Sequence, residues 1–125
     1  MVKAKIIGTA PQLLVKDVMK TVDFYQKKLE FEVIGLVGKP VVYGMVQRDG
    51  FQIHFAQSKR GITKSNRELS SISHDYILWV PEIDSFYEEL KNQKINIIEE
   101  IKLRPYGSRE FVFEDIDGHI ILVGD

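Results

Sequence analysis

The chain reads as an α+β fold: two tandem βαβββ modules whose eight strands form a curved mixed sheet around a cup. Three observations carry that expectation. The order strand, helix, strand, strand, strand is spelled out twice within 125 residues. The two copies align with slowly drifting offsets of 65, 64 and 68 residues. Each copy closes on an Asp-Gly hairpin signal, Asp49-Gly50 and then Asp117-Gly118.

Module one spans residues 7–57. Its first strand is expected over Ala10–Val15, an apolar run. Asp17 follows as an N-cap, its carboxylate placed to accept from the free amides of a first helical turn. Val18, Val22, Tyr25 and Leu29 then recur on one helical stripe. Phe31–Ile34 and Val41–Val46 read as strands, and Asp49-Gly50 turns into a fourth, Phe51–Ala56. Residues 58–73 lack apolar periodicity and are rich in Lys, Arg, Ser and Asn, which marks a linker.

Module two, residues 74–125, repeats the pattern. Tyr76–Val80 is a strand, Pro81 and Asp84 mark a helix start, and Ile83, Tyr87 and Leu90 form its stripe. Strands follow at Ile95–Ile98 and Glu110–Phe113, and Asp117-Gly118 turns into His119–Val123. The offset of 65 pairs Val15 with Val80 and Asp17 with Glu82; 64 pairs Phe31 with Ile95; 68 pairs Tyr43 with Phe111 and Gly50 with Gly118.

Composition narrows the function classes. A formal net charge of −1 with interspersed signs leaves no electrostatic footprint for nucleic acid or an anionic membrane. Cysteine is absent, which removes disulfides, thiolate metal sites and cysteine nucleophiles and suits a reducing, cytoplasmic setting. No apolar run approaches the ~20 residues of a membrane span, and no signal-peptide pattern stands at the N-terminus. Neither a phosphate loop nor a nucleophile elbow is present.

Strand parity supplies the candidate site. Each amphipathic helix must cover one face of its sheet, so Ile53, Phe55, Ile121 and Val123 point toward helices. Gln52, His54, Ile120 and Leu122 then point the other way, into a concave face of the kind that takes small ligands. By the same parity Gln12, Leu14, Asp75, Ile77 and Trp79 join them. Trp79 offers an aromatic wall for a flat or cationic ligand, or else a buried interface residue. His54 is either a ligand contact or a histidine bonded within a polar wall. Tyr106, Arg104 and Arg109 are expected in a loop before the seventh strand, where they could close over an anion.

Leu13-Leu14-Val15-Lys16-Asp17, Val22-Asp23-Phe24-Tyr25 and Leu29-Glu30-Phe31 resemble the opening module of the vicinal oxygen chelate superfamily. That group includes glyoxalase I, bleomycin and fosfomycin resistance proteins and extradiol dioxygenases. Gly107-Ser108-Arg109-Glu110-Phe111 and Asp115-Ile116-Asp117-Gly118-His119 resemble its closing hairpin, usually Asp-Pro-Asp-Gly-Asn. The resemblance implies metal-ligand positions at Ala10, His54, Asp75 and Leu122, of which Ala10 and Leu122 carry no donor. His54 and Asp75 would be the ligands if a metal is bound. Two protein ligands fall short of the three usual in catalytic sites. His119 is given a turn role.

The expectation is therefore a metal-free small-molecule binding protein of the bleomycin-resistance type, without cofactor. Its ligand-binding residues would be His54, Trp79, Asp75, Gln12, Gln52, Leu122, Tyr106 and Arg109. The near-neutral chain offers little electrostatic attraction to a strongly cationic drug. The alternatives are a metal-dependent lyase, isomerase or dioxygenase, and an interaction module with a vestigial cup. A homodimer is implied by the resemblance, with no nucleic-acid or membrane partner.

Overall fold

A computed structural model describes residues 2–125. Its first strand, β1 (Gln12–Val15), leads into helix α1 (Val18–Lys28). Asp17 caps that helix as expected, its carboxylate accepting from the Lys20 amide at 3.2 Å. Val18, Val22 and Tyr25 are buried on the predicted stripe. Each contributes roughly 1.5–3 kcal/mol by leaving water. Thr21 is buried beside them.

Strands β2 (Glu32–Val37), β3 (Tyr43–Arg48) and β4 (Phe51–Gln57) complete the first module. Asp49 and Gly50 join β3 to β4 with positive φ at both residues (52° and 85°), which the right-handed twist of a two-residue hairpin requires. Two short 3-10 turns, Lys59–Gly61 and Asn66–Glu68, lie in the linker.

Module two runs β5 (Tyr76–Trp79), α2 (Ile83–Asn92), β6 (Asn96–Leu103), β7 (Arg109–Glu114) and β8 (Ile120–Gly124). Both helices end through a left-handed residue, Glu30 (φ 58°) and Lys94 (φ 57°), at the expected offset of 64. The amides beyond, Phe31 and Ile95, return to the Tyr25 and Leu90 carbonyls. The second helix buries Ile83, Phe86 and Leu90.

The eight strands group into two four-stranded mixed sheets, ordered β1-β4-β3-β2 and β5-β8-β7-β6. In each, the first strand lies parallel to the last and the remaining pairs are antiparallel. One apolar core spans both modules, with Phe55, Tyr25, Phe31, Phe86, Phe111 and Phe113 at its centre. Among the described residues no helix is long and apolar enough to cross a membrane.

Five expectations need correction. Ala10 and Pro11 precede the first ladder, which starts at Gln12. The second and sixth strands run further than expected, to Val37 and Leu103. The last hairpin is a five-residue loop, residues 115–119, so His119 belongs to the turn and the strand begins at Ile120.

That longer loop also shifts the repeat. His54 faces Met45 and Leu122 faces Val112, an offset of 67 for the third strand of each module. Matching Tyr43 to Phe111 by aromaticity slips one residue and changes faces. Finally, Arg109 opens β7 rather than sitting in a loop.

Candidate functional site

Each sheet has a face its helix does not cover. In module one the register places Gln12 and Leu14 of β1, Tyr43, Met45 and Gln47 of β3, and Gln52, His54 and Ala56 of β4 on that face. Leu13, Val15, Val46, Ile53 and Phe55 are buried on the other.

The polar groups of this first face bond to one another. Gln12 Nε2 lies 2.9 Å from the Tyr43 hydroxyl, which lies 2.7 Å from His54 Nδ1. His54 Nε2 lies 2.8 Å from Gln52 Oε1. Tyr43 also meets the His54 ring edge-on. The chain is partly buried at Tyr43 and exposed at both glutamines.

The second face is chemically different. Its register aligns Ile77 and Trp79 of β5, Ile120, Leu122 and Gly124 of β8, and Glu110, Val112 and Glu114 of β7, with Glu99 of β6 beside Val112. Val112 is fully buried and Glu110 only 8 % exposed, although neither points at the helix. The 3-10 turn Asn66–Glu68 brings Arg67 onto Glu99 at 3.0 Å, and Arg104 joins Glu99 to Glu110 at 3.2 and 3.1 Å. The Tyr106 hydroxyl donates to Glu110 at 2.6 Å. The Arg67 hydrogen bond, opposed by burial and aided by Arg104, holds the Glu99 carboxyl below its usual range. Burial, reinforced by Arg67, lowers the His74 imidazole in the same neighbourhood.

Between the modules lies a buried polar hub. Asp115 Oδ1 accepts the amides of Asp117 and His119, while Oδ2 accepts from the Tyr25 hydroxyl at 2.8 Å and from His119 Nδ1 at 2.9 Å. Tyr76 donates to Tyr25 at 2.7 Å. Burial, then the Asp115 charge, raises both phenols far above their usual range.

His119 Nε2 reaches the Leu14 carbonyl of module one at 3.0 Å. Both ring nitrogens of His119 therefore face acceptors that have no proton to give, so both donate and the ring is an imidazolium. Burial alone would lower its pKa; the Asp115 hydrogen bond and charge, with Asp75 and Asp117, outweigh that and raise it. Asp117 completes the seam, accepting from the Lys16 amide at 2.8 Å and from the Thr21 hydroxyl. Arg48 adds a second tie, bonding the Leu29 carbonyl and Glu89 over the Phe86 ring.

A metal does not fit the donor sets present. Asp115, Asp117 and His119 bring ligand atoms within 4.8 Å of one another. Every carboxylate oxygen and ring nitrogen of the three already serves a hydrogen bond, and four of those bonds join the modules. At the positions implied by the resemblance, Ala10 and Leu122 carry no donor. Asp75 uses Oδ1 for the Asn66 amide and Oδ2 for the Ile120 amide, at 2.8 and 2.7 Å. His54 alone keeps an imidazole on an open face.

The structure brings Gln12, Gln52 and His54 together and places Leu122 on the separate second face. Trp79, 73 % exposed, stands at the rim of that second face. Asp75 and Tyr106 are tied into module two as described. Arg109 lies on the helix side of β7, paired bidentately with Asp84 of α2 at 2.8 and 2.9 Å, which leaves it away from the concave side. Strand parity does not orient Asp75, because β5 begins only at Tyr76.

Sequence reasoning missed Tyr43, the centre of the module-one chain. The two-residue turn at Asp49-Gly50 fixes Tyr43 opposite Ala56, and that signal was sufficient to find it. A groove of about 570 Å³ between α1 and β2, lined by Met19, Val22, Val33 and Leu36, lies apart from these residues.

Solved structures share this architecture at low identity. A bleomycin resistance determinant encoded on the transposon Tn5 superposes with a TM-score of 0.76 at 19% identity, covering 96% of this chain and 98% of that one. The bleomycin-binding protein of Streptomyces verticillus, solved with copper(II)-bleomycin, gives 0.73 at 19% identity, with 97% of each chain covered. A glyoxalase-related enzyme from Clostridium phytofermentans gives 0.76 at 17% identity, covering 97% of this chain and 95% of that one. No curated protein matches the chain significantly. The glyoxalase-like domain model matches residues 9–125, and the chain accordingly belongs to the glyoxalase-like domain family, within the vicinal oxygen chelate superfamily.

Proposed function

We propose that this protein binds a small molecule against the open face of module one and does so without a metal. The observation that carries the reading is the Gln12–Tyr43–His54–Gln52 chain. It is a half-exposed set of mutually bonded polar groups bordered by Met45 and the exposed Leu14, with no charged side chain among them. The fold is shared with proteins whose known ligand is bleomycin. A net charge of −1 offers no comparable attraction to a cationic drug, so a different ligand is favoured.

Two copies pairing would close the site. Ile77 and Trp79 remain exposed on the rim of module two. A second copy would bring such an apolar-aromatic rim over the first face and complete a cup from both chains. The absence of cysteine suits a cytoplasmic setting for this role.

Metal analysis of the purified protein, set beside His54→Ala, tests the reading. The expected result is no stoichiometric divalent metal in either protein. A tightly held metal that disappears in the variant would establish a metal-dependent enzyme instead. A thermal-shift screen then separates binding from a vestigial cup. Stabilisation by an aromatic compound, lost in Trp79→Ala, supports a shared binding cup. No response across a broad panel contradicts it.

A further inference from the structure

Strands β2 and β6 carry the same irregularity. The ladder breaks between Val33 and Gly35 against β3, and between Ile97 and Glu99 against β7. An exposed isoleucine falls in each break, Ile34 and Ile98. Beyond it, Gly35 stands opposite Met45 and Glu99 stands opposite Val112. The two positions are equivalent, because Met45 faces His54 just as Val112 faces Leu122.

One place in the repeat thus holds a carboxylate in module two and no side chain in module one. Glu99 gathers Arg67 and Arg104, and Val112 beside it is fully buried. Gly35 leaves bare backbone, and the Met45 side chain lies down across it. A Cβ placed on Gly35 would overlap the Met45 methyl and stand 3.7 Å from its sulfur. Among the described residues, nothing else beyond the chain neighbours comes within 4 Å of that point.

Met45 is half-buried beside His54 and Tyr43, and Val37 is exposed opposite Tyr43. A methionine end is flexible and polarisable, adapts to what lies on it, and attracts aromatic rings through its sulfur. Given the binding reading above, on which this step rests, we infer that Gly35 sets the depth of the site. Met45 is its movable floor, against which the flat ring of an aromatic ligand rests.

Gly35 lies outside the left-handed region, so alanine fits its backbone. The group that alanine displaces is the free end of a side chain. Gly35→Ala therefore folds, with Met45 forced up off β2 into the space a ligand would take.

Two probes of one skeleton test this on the intact protein: 2-naphthol, flat and aromatic, and decahydro-2-naphthol, saturated and puckered. Met45→Leu keeps the volume and removes the sulfur. In calorimetric titration it should lower the affinity for 2-naphthol relative to decahydro-2-naphthol by about two- to tenfold. Gly35→Ala should weaken both probes at least about fourfold, the worth of one buried methylene. In a Met45→Ala background the same change should matter little, since no thioether remains to be lifted. Circular dichroism checks that each variant folds.

Unchanged affinities in Gly35→Ala overturn the inference and leave the binding site in place. So does an equal loss in the Met45→Ala background, or a probe ratio untouched by Met45→Leu. No saturable binding of either probe by the unaltered protein overturns the inference and the binding reading together.

Discussion

Superposing the modules by their strand ladders sets Gln12, Tyr43, His54 and Gln52 of the first against Ile77, Glu110, Leu122 and Ile120 of the second. The backbone plan is the same, and the exposed face is not. In module one, four polar side chains satisfy one another and leave two neutral ends toward solvent. In module two, three apolar residues and a glutamate occupy those places, and Glu110 is held by Arg104 and Tyr106. The linker supplies Arg67 to the adjacent Glu99. Duplication gives two scaffolds, and the side chains on the free face decide which one stays open.

Four perturbations would break or sharpen that contrast. The largest concerns the hub both faces rest on. Asp115→Ala removes the acceptor of four hydrogen bonds and leaves a buried imidazolium uncompensated. It should lower stability by about 3–5 kcal/mol in urea denaturation, and a loss confined to module two would show that the modules are independent.

The second is pH. His119 has a raised native pKa, so its contribution is complete below the unfolded value of about 6.5 and is lost as pH rises through the native value. Denaturation midpoints should fall as pH rises past the ordinary histidine range, and His119→Asn should flatten that slope.

The third uncovers module two. Glu99→Gln weakens both arginine bridges and should cost about 1 kcal/mol. Faster hydrogen exchange is expected in the linker amides, with module one unchanged. Because Arg67 depresses the native Glu99 pKa, this contribution is present above the ordinary glutamate range and is lost as pH falls through the native value beneath that range.

The smallest in stability is Tyr43→Phe, which cuts the module-one chain at its centre. It should cost under about 1.5 kcal/mol of folding stability yet abolish the thermal stabilisation by an aromatic compound.

Much of the fold was legible because its signals are local. Asp17 caps, the Val18–Val22–Tyr25 stripe buries, and Asp49-Gly50 turns for reasons contained in a few neighbouring residues. The misread elements depend on distant partners. Five residues in the last hairpin, organised by the Asp115 side chain, moved the register of β7 by one.

His119 looked like a turn residue, and it is one. Its second bond goes to a carbonyl 105 residues away, which no local pattern encodes. Three of the four residues in the module-one chain, Gln12, Gln52 and His54, followed from strand parity. Asp75 is claimed by two backbone amides rather than facing the cup as parity suggested, and Arg109 pairs with Asp84 from β7 rather than sitting in the expected loop.

The central claim is that the open, polar face of module one receives the ligand while the roofed face of module two does not. Mapping backbone amide shifts during titration with an aromatic compound that stabilises the protein in the thermal-shift screen tests this directly. The account predicts saturable shifts clustered at Gln12, Tyr43, Gln52 and His54, with Glu99, Arg104 and Glu110 unmoved. Shifts centred on Glu99, Arg104 and Glu110, with β3 and β4 silent, would contradict it.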